Sequence, residues 1–98
     1  MSSIAYHAGN LFTAWTQFNA ATRSEIIVGR YDGAWTEYAA SGVGEAGQQF
    51  IDGQLASAGG RLHLVWSADQ FVNGAYDATA IYATLWQGSG FAEELAGD

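Results

Sequence analysis

Residues 11–16, Leu-Phe-Thr-Ala-Trp-Thr, and residues 62–67, Leu-His-Leu-Val-Trp-Ser, state one pattern twice, with Trp66 standing 51 positions after Trp15. Each copy continues in the same way. The first crosses a polar gap to Glu25-Ile26-Ile27-Val28-Gly29-Arg30-Tyr31-Asp32-Gly33-Ala34-Trp35. The second crosses a longer gap to Ala80-Ile81-Tyr82-Ala83-Thr84-Leu85-Trp86-Gln87-Gly88 and closes at Phe91. Upstream, Gln54 to Ala58 aligns with Ser3 to His7 at the same offset, and the turn Gly59-Gly60 matches Gly9. Strand-like segments repeating with a period near 50 residues are the signature of a repeat architecture.

Within the first copy, residues 3–8 read as a short strand ended by the turn signal Gly9-Asn10. Leu11 to Thr16 is a second strand with apolar residues on both faces, which requires cover on both. Gln17 to Ser24 is a polar connection. Glu25 to Tyr31 is a β-branched third strand ending at the hairpin signal Asp32-Gly33. Trp35 to Tyr38 alternates aromatic and polar, as an exposed outer strand should. Ser41 to Gly53 is glycine-rich and reads as a crossover. In the second copy Ala68 to Ala78, with Asn73-Gly74 at its tip, replaces the polar gap, and Glu93-Glu94-Leu95 is the last outer strand. Helical periodicity is confined to an ambiguity at Phe91 to Leu95.

Four strands per copy, each unit apolar on both faces, predict an all-β fold of the β-propeller type. The expected organisation is a first four-stranded antiparallel blade over 1–42, a crossover over 43–53 and a second blade over 54–98. Two blades cannot close a ring, so faces carrying Leu11, Trp15, Ile27, Leu64, Trp66 and Tyr82 are left uncovered. One large apolar side chain is worth about 1.5–3 kcal/mol on burial, so several per face drive association. The ring is then completed by oligomerisation, as a homotrimer of six blades or, second, a homotetramer of eight. The alternative is a fragment of a longer propeller.

The formal net charge of −7, from ten acidic and three basic residues, opposes binding to nucleic acid and to anionic membrane surfaces. There is no cysteine, hence no thiolate chemistry or disulfide framework. The N-terminus has no basic segment followed by a long apolar run, so no signal peptide is expected, and no stretch approaches a membrane span. The 13 glycines and scarce charges describe a folded, turn-rich chain.

A Trp-ending second strand, a third strand running into Tyr31-Asp32-Gly33, and Trp35 after the turn resemble bacterial propeller repeats of the sialidase-like kind. The two-blade layout is also similar to the small bacterial and fungal fucose-binding lectins, whose chains trimerise into six-bladed rings. The resemblance implies a ring and a carbohydrate ligand. The lectins hold sugar with a second-strand arginine and a third-strand glutamate, and those positions are Thr13 and Val28, then Leu64 and Ala83, in this chain. The sialidase-like Asp-box is reduced to its turn and its aromatic residue.

Enzymatic chemistry has little to stand on. Glycoside hydrolysis needs two carboxylates facing one cleft, and Glu25, the best-placed acid, has Ala80 as its repeat counterpart. Glu37 aligns with Glu93 as solvated outer-strand acids. His7 and His63 stand at non-equivalent repeat positions, and His63, aligned with Phe12, is expected to be a packed core residue. Trp15 and Trp66 are expected in the core as well. Asp69, Asn73 and Asp77 lack the regular spacing of a calcium loop, so no metal and no cofactor is expected. Binding is favoured. Tyr31, Trp35, Trp86 and Phe91 flank the third-to-fourth strand turns, where aromatics stack on sugar faces. Asp32, Gln87, Arg30 and Glu37 stand close enough in sequence to hydrogen-bond hydroxyl groups. The reading is a lectin-like, carbohydrate-binding module; the alternatives are a structural or engineered propeller building block without ligand, and a glycosidase fragment.

Overall fold

The computed structural model describes residues 3–20, 23–41, 47–91 and 95–97, and all of its regular structure is β. Eight strands follow in order: β1 (Ser3–His7), β2 (Asn10–Ala20), β3 (Arg23–Tyr31), β4 (Trp35–Ala39), β5 (Gln48–Ala58), β6 (Arg61–Val72), β7 (Ala75–Leu85) and β8 (Leu95–Gly97). β1 to β4 form one antiparallel meander. β5 to β7 form a second, with the three-residue β8 on the far side of β7. A single parallel bridge, Arg23 to Gln48, joins the two at one corner.

The repeat seen in the sequence recurs in the hydrogen-bond register. Ser3 pairs with Ala14 and Gln54 with Val65; Phe12 pairs with Arg30 and His63 with Leu85. Tyr31 opposite Trp35 is matched by Trp86 opposite Phe91. Equivalent residues therefore occupy equivalent places in two sheets of the same build. Two-residue turns set these registers. Ala8-Gly9, Gly59-Gly60 and Asn73-Gly74 all have positive φ at both positions, the conformation that follows the twist of the flanking strands.

The sheets pack face to face over one core of Phe12, Ala14, Ile26 and Val28 from the first and Phe50, Leu55, Leu62, Leu64, Trp66 and Ala68 from the second. Close approach is possible at Gly53, where a Cβ would lie 3.1 Å from Ile26 Cγ2. Polar pins cross the gap. Ser24 Oγ donates to the Phe50 carbonyl at 2.8 Å, the Leu55 amide donates to Ser3 Oγ at 3.0 Å, and His7 Nδ1 lies 3.0 Å from Ser57 Oγ.

The contact has a sense. The first sheet turns its Phe12 and Ala14 side inward, and the repeat counterparts of those residues, His63 and Val65, lie on the outer side of the second sheet. The second sheet turns in Leu62, Leu64 and Trp66, whose counterparts Leu11, Thr13 and Trp15 lie on the outer side of the first. Each sheet thus offers the opposite face of one common unit.

Several expectations need correction. The polar gaps at Gln17 to Ser24 and Ala68 to Ala78 are largely strand, as is the Gln48 to Gly53 part of the expected crossover. Ladder hydrogen bonds are made by the backbone, so polar side chains on solvent-facing ends do not stop a strand. Leu64, Trp66 and Tyr82 are not on an open face but between the sheets, whereas Trp15 is only half-buried on the open face. His63 is half-buried on the outer side and not a core residue, because the second sheet faces its neighbour the other way round. Glu93 and Glu94 lie outside the described residues.

Candidate functional site

Six of the eight sequence-nominated residues separate into two groups on opposite sides of the first sheet, and Asp32 and Gln87 are exposed beyond the strand ends. Tyr31 and Trp35 face outward with Ile4, Tyr6, Leu11, Trp15 and Ile27, following the side-chain alternation of β1 to β4. Their rings are 5.3 Å apart, and Trp35 remains 56% exposed. Gly29 lies beneath this cluster: a Cβ there would lie 3.2 Å from Trp35 Cε3 and 3.3 Å from Trp15 Cζ3. The glycine lets two indoles lie flat against the sheet. Glu37 is on the same side, opposite Gly29, and exposed.

Arg30, Trp86 and Phe91 form the other group, at the inter-sheet junction. Trp86 extends from the end of the second sheet to Phe12 and Tyr38 of the first, with ring centroids at 5.2 and 4.9 Å. Phe91 packs on Trp86 at 5.3 Å, and the Arg30 guanidinium carbon lies 5.4 Å from the indole. A cation over an aromatic face is held by the ring quadrupole, which fixes the arginine here. Arg30 Nη2 reaches Asp32 Oδ2 at 3.4 Å, while Arg30 Nε is enclosed without a hydrogen-bond partner. Gln87 is exposed, its backbone N–H donating to the Gly90 carbonyl at 2.8 Å across the turn.

A cleft of about 440 Å³ opens at the end of the first sheet, lined by Tyr6, Gly9, Asn10, Leu11, Tyr31, Asp32 and Gly33. It exists because β2 pairs with both β1 and β3, which sets the β1–β2 turn beside the β3–β4 turn. Tyr6 and Tyr31, 72% and 44% exposed, supply its aromatic surface, and Asn10 and Asp32 its polar groups. Sequence reasoning named Tyr31 and Asp32 but missed Tyr6, Asn10 and Leu11. The signal was present in the period-2 placing of Tyr6 and Leu11 on the face of Tyr31.

Among the described residues Glu25 and Glu37 do not converge. Glu25 is buried beside Gln17, whose Nε2 donates to Glu25 Oε1 at 3.5 Å, while Glu37 sits out in solvent. Asp69 accepts from Thr79 at 2.7 Å, and Thr79 is 2.6 Å from the Tyr76 hydroxyl, an arrangement that ties two strands together. Among the described residues no three His, Asp or Glu side chains gather where a metal ion could be held. No protein-family model, no curated protein and no solved structure matches this chain.

Proposed function

We propose that the chain is a non-catalytic, self-assembling β-propeller unit that binds carbohydrate at the rim formed by its third-to-fourth strand turns. The observation that carries the propeller reading is the sense of the internal contact. Two equivalent four-strand units present opposite faces to each other, which is how successive blades stack around a ring. Such a contact is heterologous and leaves one unused face of each kind, so copies add until rotation closes a ring. A homotrimer of six blades is the expected assembly, with a tetramer of eight as the second.

The carbohydrate reading is supported by the cleft beside Tyr31. Two exposed tyrosines offer apolar faces, and Asn10 and Asp32 offer groups for sugar hydroxyls. Trp35 extends the same aromatic surface. The second reading, a structural building block without ligand, is favoured by the Arg30, Trp86 and Phe91 group, whose members pack on one another and on Phe12 and Tyr38.

The test has two parts. Light scattering should give three times the 10.4 kDa chain mass, and a monodisperse monomer overturns the assembly. A glycan array should show binding that Tyr31→Ala removes. Silence across every sugar class leaves the building-block reading.

A further inference from the structure

The internal contact specifies what covers the cleft. At the end of the second sheet, the positions equivalent to Tyr6, Leu11 and Tyr31 are Ser57, Leu62 and Trp86. That place is occupied. His7 bonds Ser57 at 3.0 Å, Phe12 packs on Trp86 at 5.2 Å, and Leu62 is fully buried beneath them. The first sheet has the same place, lined by Tyr6, Leu11 and Tyr31, and there it is the open cleft. The residues equivalent to the two occupants are Ala58 and His63, and both lie on the free outer side of the second sheet.

We propose that a second copy of this chain docks here, placing its Ala58 and His63 against Tyr6 and Tyr31 in the register in which His7 and Phe12 meet Ser57 and Trp86. This rests on the self-assembling reading and adds the residue-level contact. The partners suit each other. The outer face of the first sheet exposes Ile4, Tyr6, Tyr31 and Trp35, and the outer face of the second exposes Val65 and Ile81 at its centre.

The substitutions have a consequence for the ligand site. Ala58 is much smaller than His7, and His63 is smaller and more polar than Phe12. The docked pair brings less bulk than His7 and Phe12 bring to the internal junction, while Tyr6 brings more than its counterpart Ser57. The carbohydrate cleft is therefore walled by two copies, with the imidazole of the second copy's His63 added to its polar groups. The junction inside one chain is instead packed by Phe12, Trp86 and Arg30. Ligand sites are expected between chains and not within them, one per copy.

The chain has no cysteine, so paired cysteines with a short bis-maleimide report the register directly. Tyr6→Cys with Ala58→Cys should link copies into a covalent ring of the native assembly's mass. Ser57→Cys with His7→Cys, the equivalent pair inside one chain, should react without joining chains, and no single variant should give a covalent species above a monomer. An assembly of unchanged mass that the Tyr6/Ala58 pair fails to link, under conditions that close the internal pair, overturns this register and leaves self-assembly standing. Linking by Tyr6→Cys alone means like faces meet, which also overturns it. A monomer at every concentration removes the inference and the assembly together. Ala58→Arg, exposed in the single chain, supplies an independent reading: at least a tenfold weaker assembly with unchanged circular dichroism is expected, and unchanged assembly refutes the contact.

Discussion

The equivalent tryptophans provide a comparison in which sequence position is matched and only tertiary placement differs. Trp66 is 1% exposed, stacked on Tyr82 at 5.8 Å and 6.2 Å from Phe50. Trp15 is half-buried, lying against Gly29 on the uncovered face. Truncating a buried tryptophan to alanine costs about 3–5 kcal/mol through lost transfer energy and the cavity left behind. A domain of this size has about 5–15 kcal/mol in total, so Trp66→Ala should be mostly unfolded at modest urea. Trp15→Ala, measured where the chain is dissociated, should cost only about 1–2 kcal/mol for the area it covers. In the proposed assembly the cost of the Trp15 substitution grows. Trp15 then contributes to the contact between copies, and each 1.4 kcal/mol lost weakens association about tenfold. Urea titration followed by far-ultraviolet circular dichroism, at protein concentrations below and above the association midpoint, separates the terms. The wild-type midpoint should rise with concentration and that of Trp15→Ala should barely move. Equal costs for the two variants in dilute protein would refute the assignment of inner and outer faces.

Four further outcomes are expected. Trp66→Phe should cost less than about 2 kcal/mol in the same titration, because it removes the enclosed indole Nε1–H that has no partner as well as part of the ring. Ser24→Ala, which orphans the Phe50 carbonyl from a fully buried hydroxyl, should lower stability by about 1–3 kcal/mol, read as a lowered urea midpoint with unchanged slope. Ala8→Gly should raise the thermal midpoint, since Ala8 holds φ at +49° where its repeat counterpart is Gly59, a conformation costing a non-glycine residue about 1–2 kcal/mol; a lowered midpoint would count against the turn geometry. Association should strengthen with salt, because each copy brings a net charge of −7 into the ring, and ultracentrifugation at about 10 mM and 150 mM ionic strength checks the sign.

Much of the strand plan was legible before any coordinates. The apolar runs at Leu11 to Thr16 and Leu62 to Ser67, the turn residues at Gly9, Asp32-Gly33, Gly59-Gly60 and Asn73-Gly74, and the 51-residue offset all coincide with strands, turns and register of the fold. Strand ends were not legible. Asp69, Gln70 and Thr79 are polar, yet they sit in the ladder because backbone pairing holds them there, and Thr79 also donates across the strands to Asp69. The candidate site was half legible. Aromatic residues around a turn signal pointed to Tyr31 and Asp32, but Tyr6 and Asn10 join them only through the pairing of β1 with β2.

The sequence by itself determined an all-β chain of two matched units, each with apolar residues on both faces, because side-chain alternation and turn chemistry are local properties. It could not say which face of either unit would be covered. Trp15 and Trp66 are the same residue in the same strand position, and one is half-open while the other is sealed. Only the tertiary structure decided this, since burial depends on which surface arrives opposite, and the first sheet meets the second in one sense alone. The same event separated Tyr31 from Trp86: one lines an open cleft, the other closes the junction between the sheets.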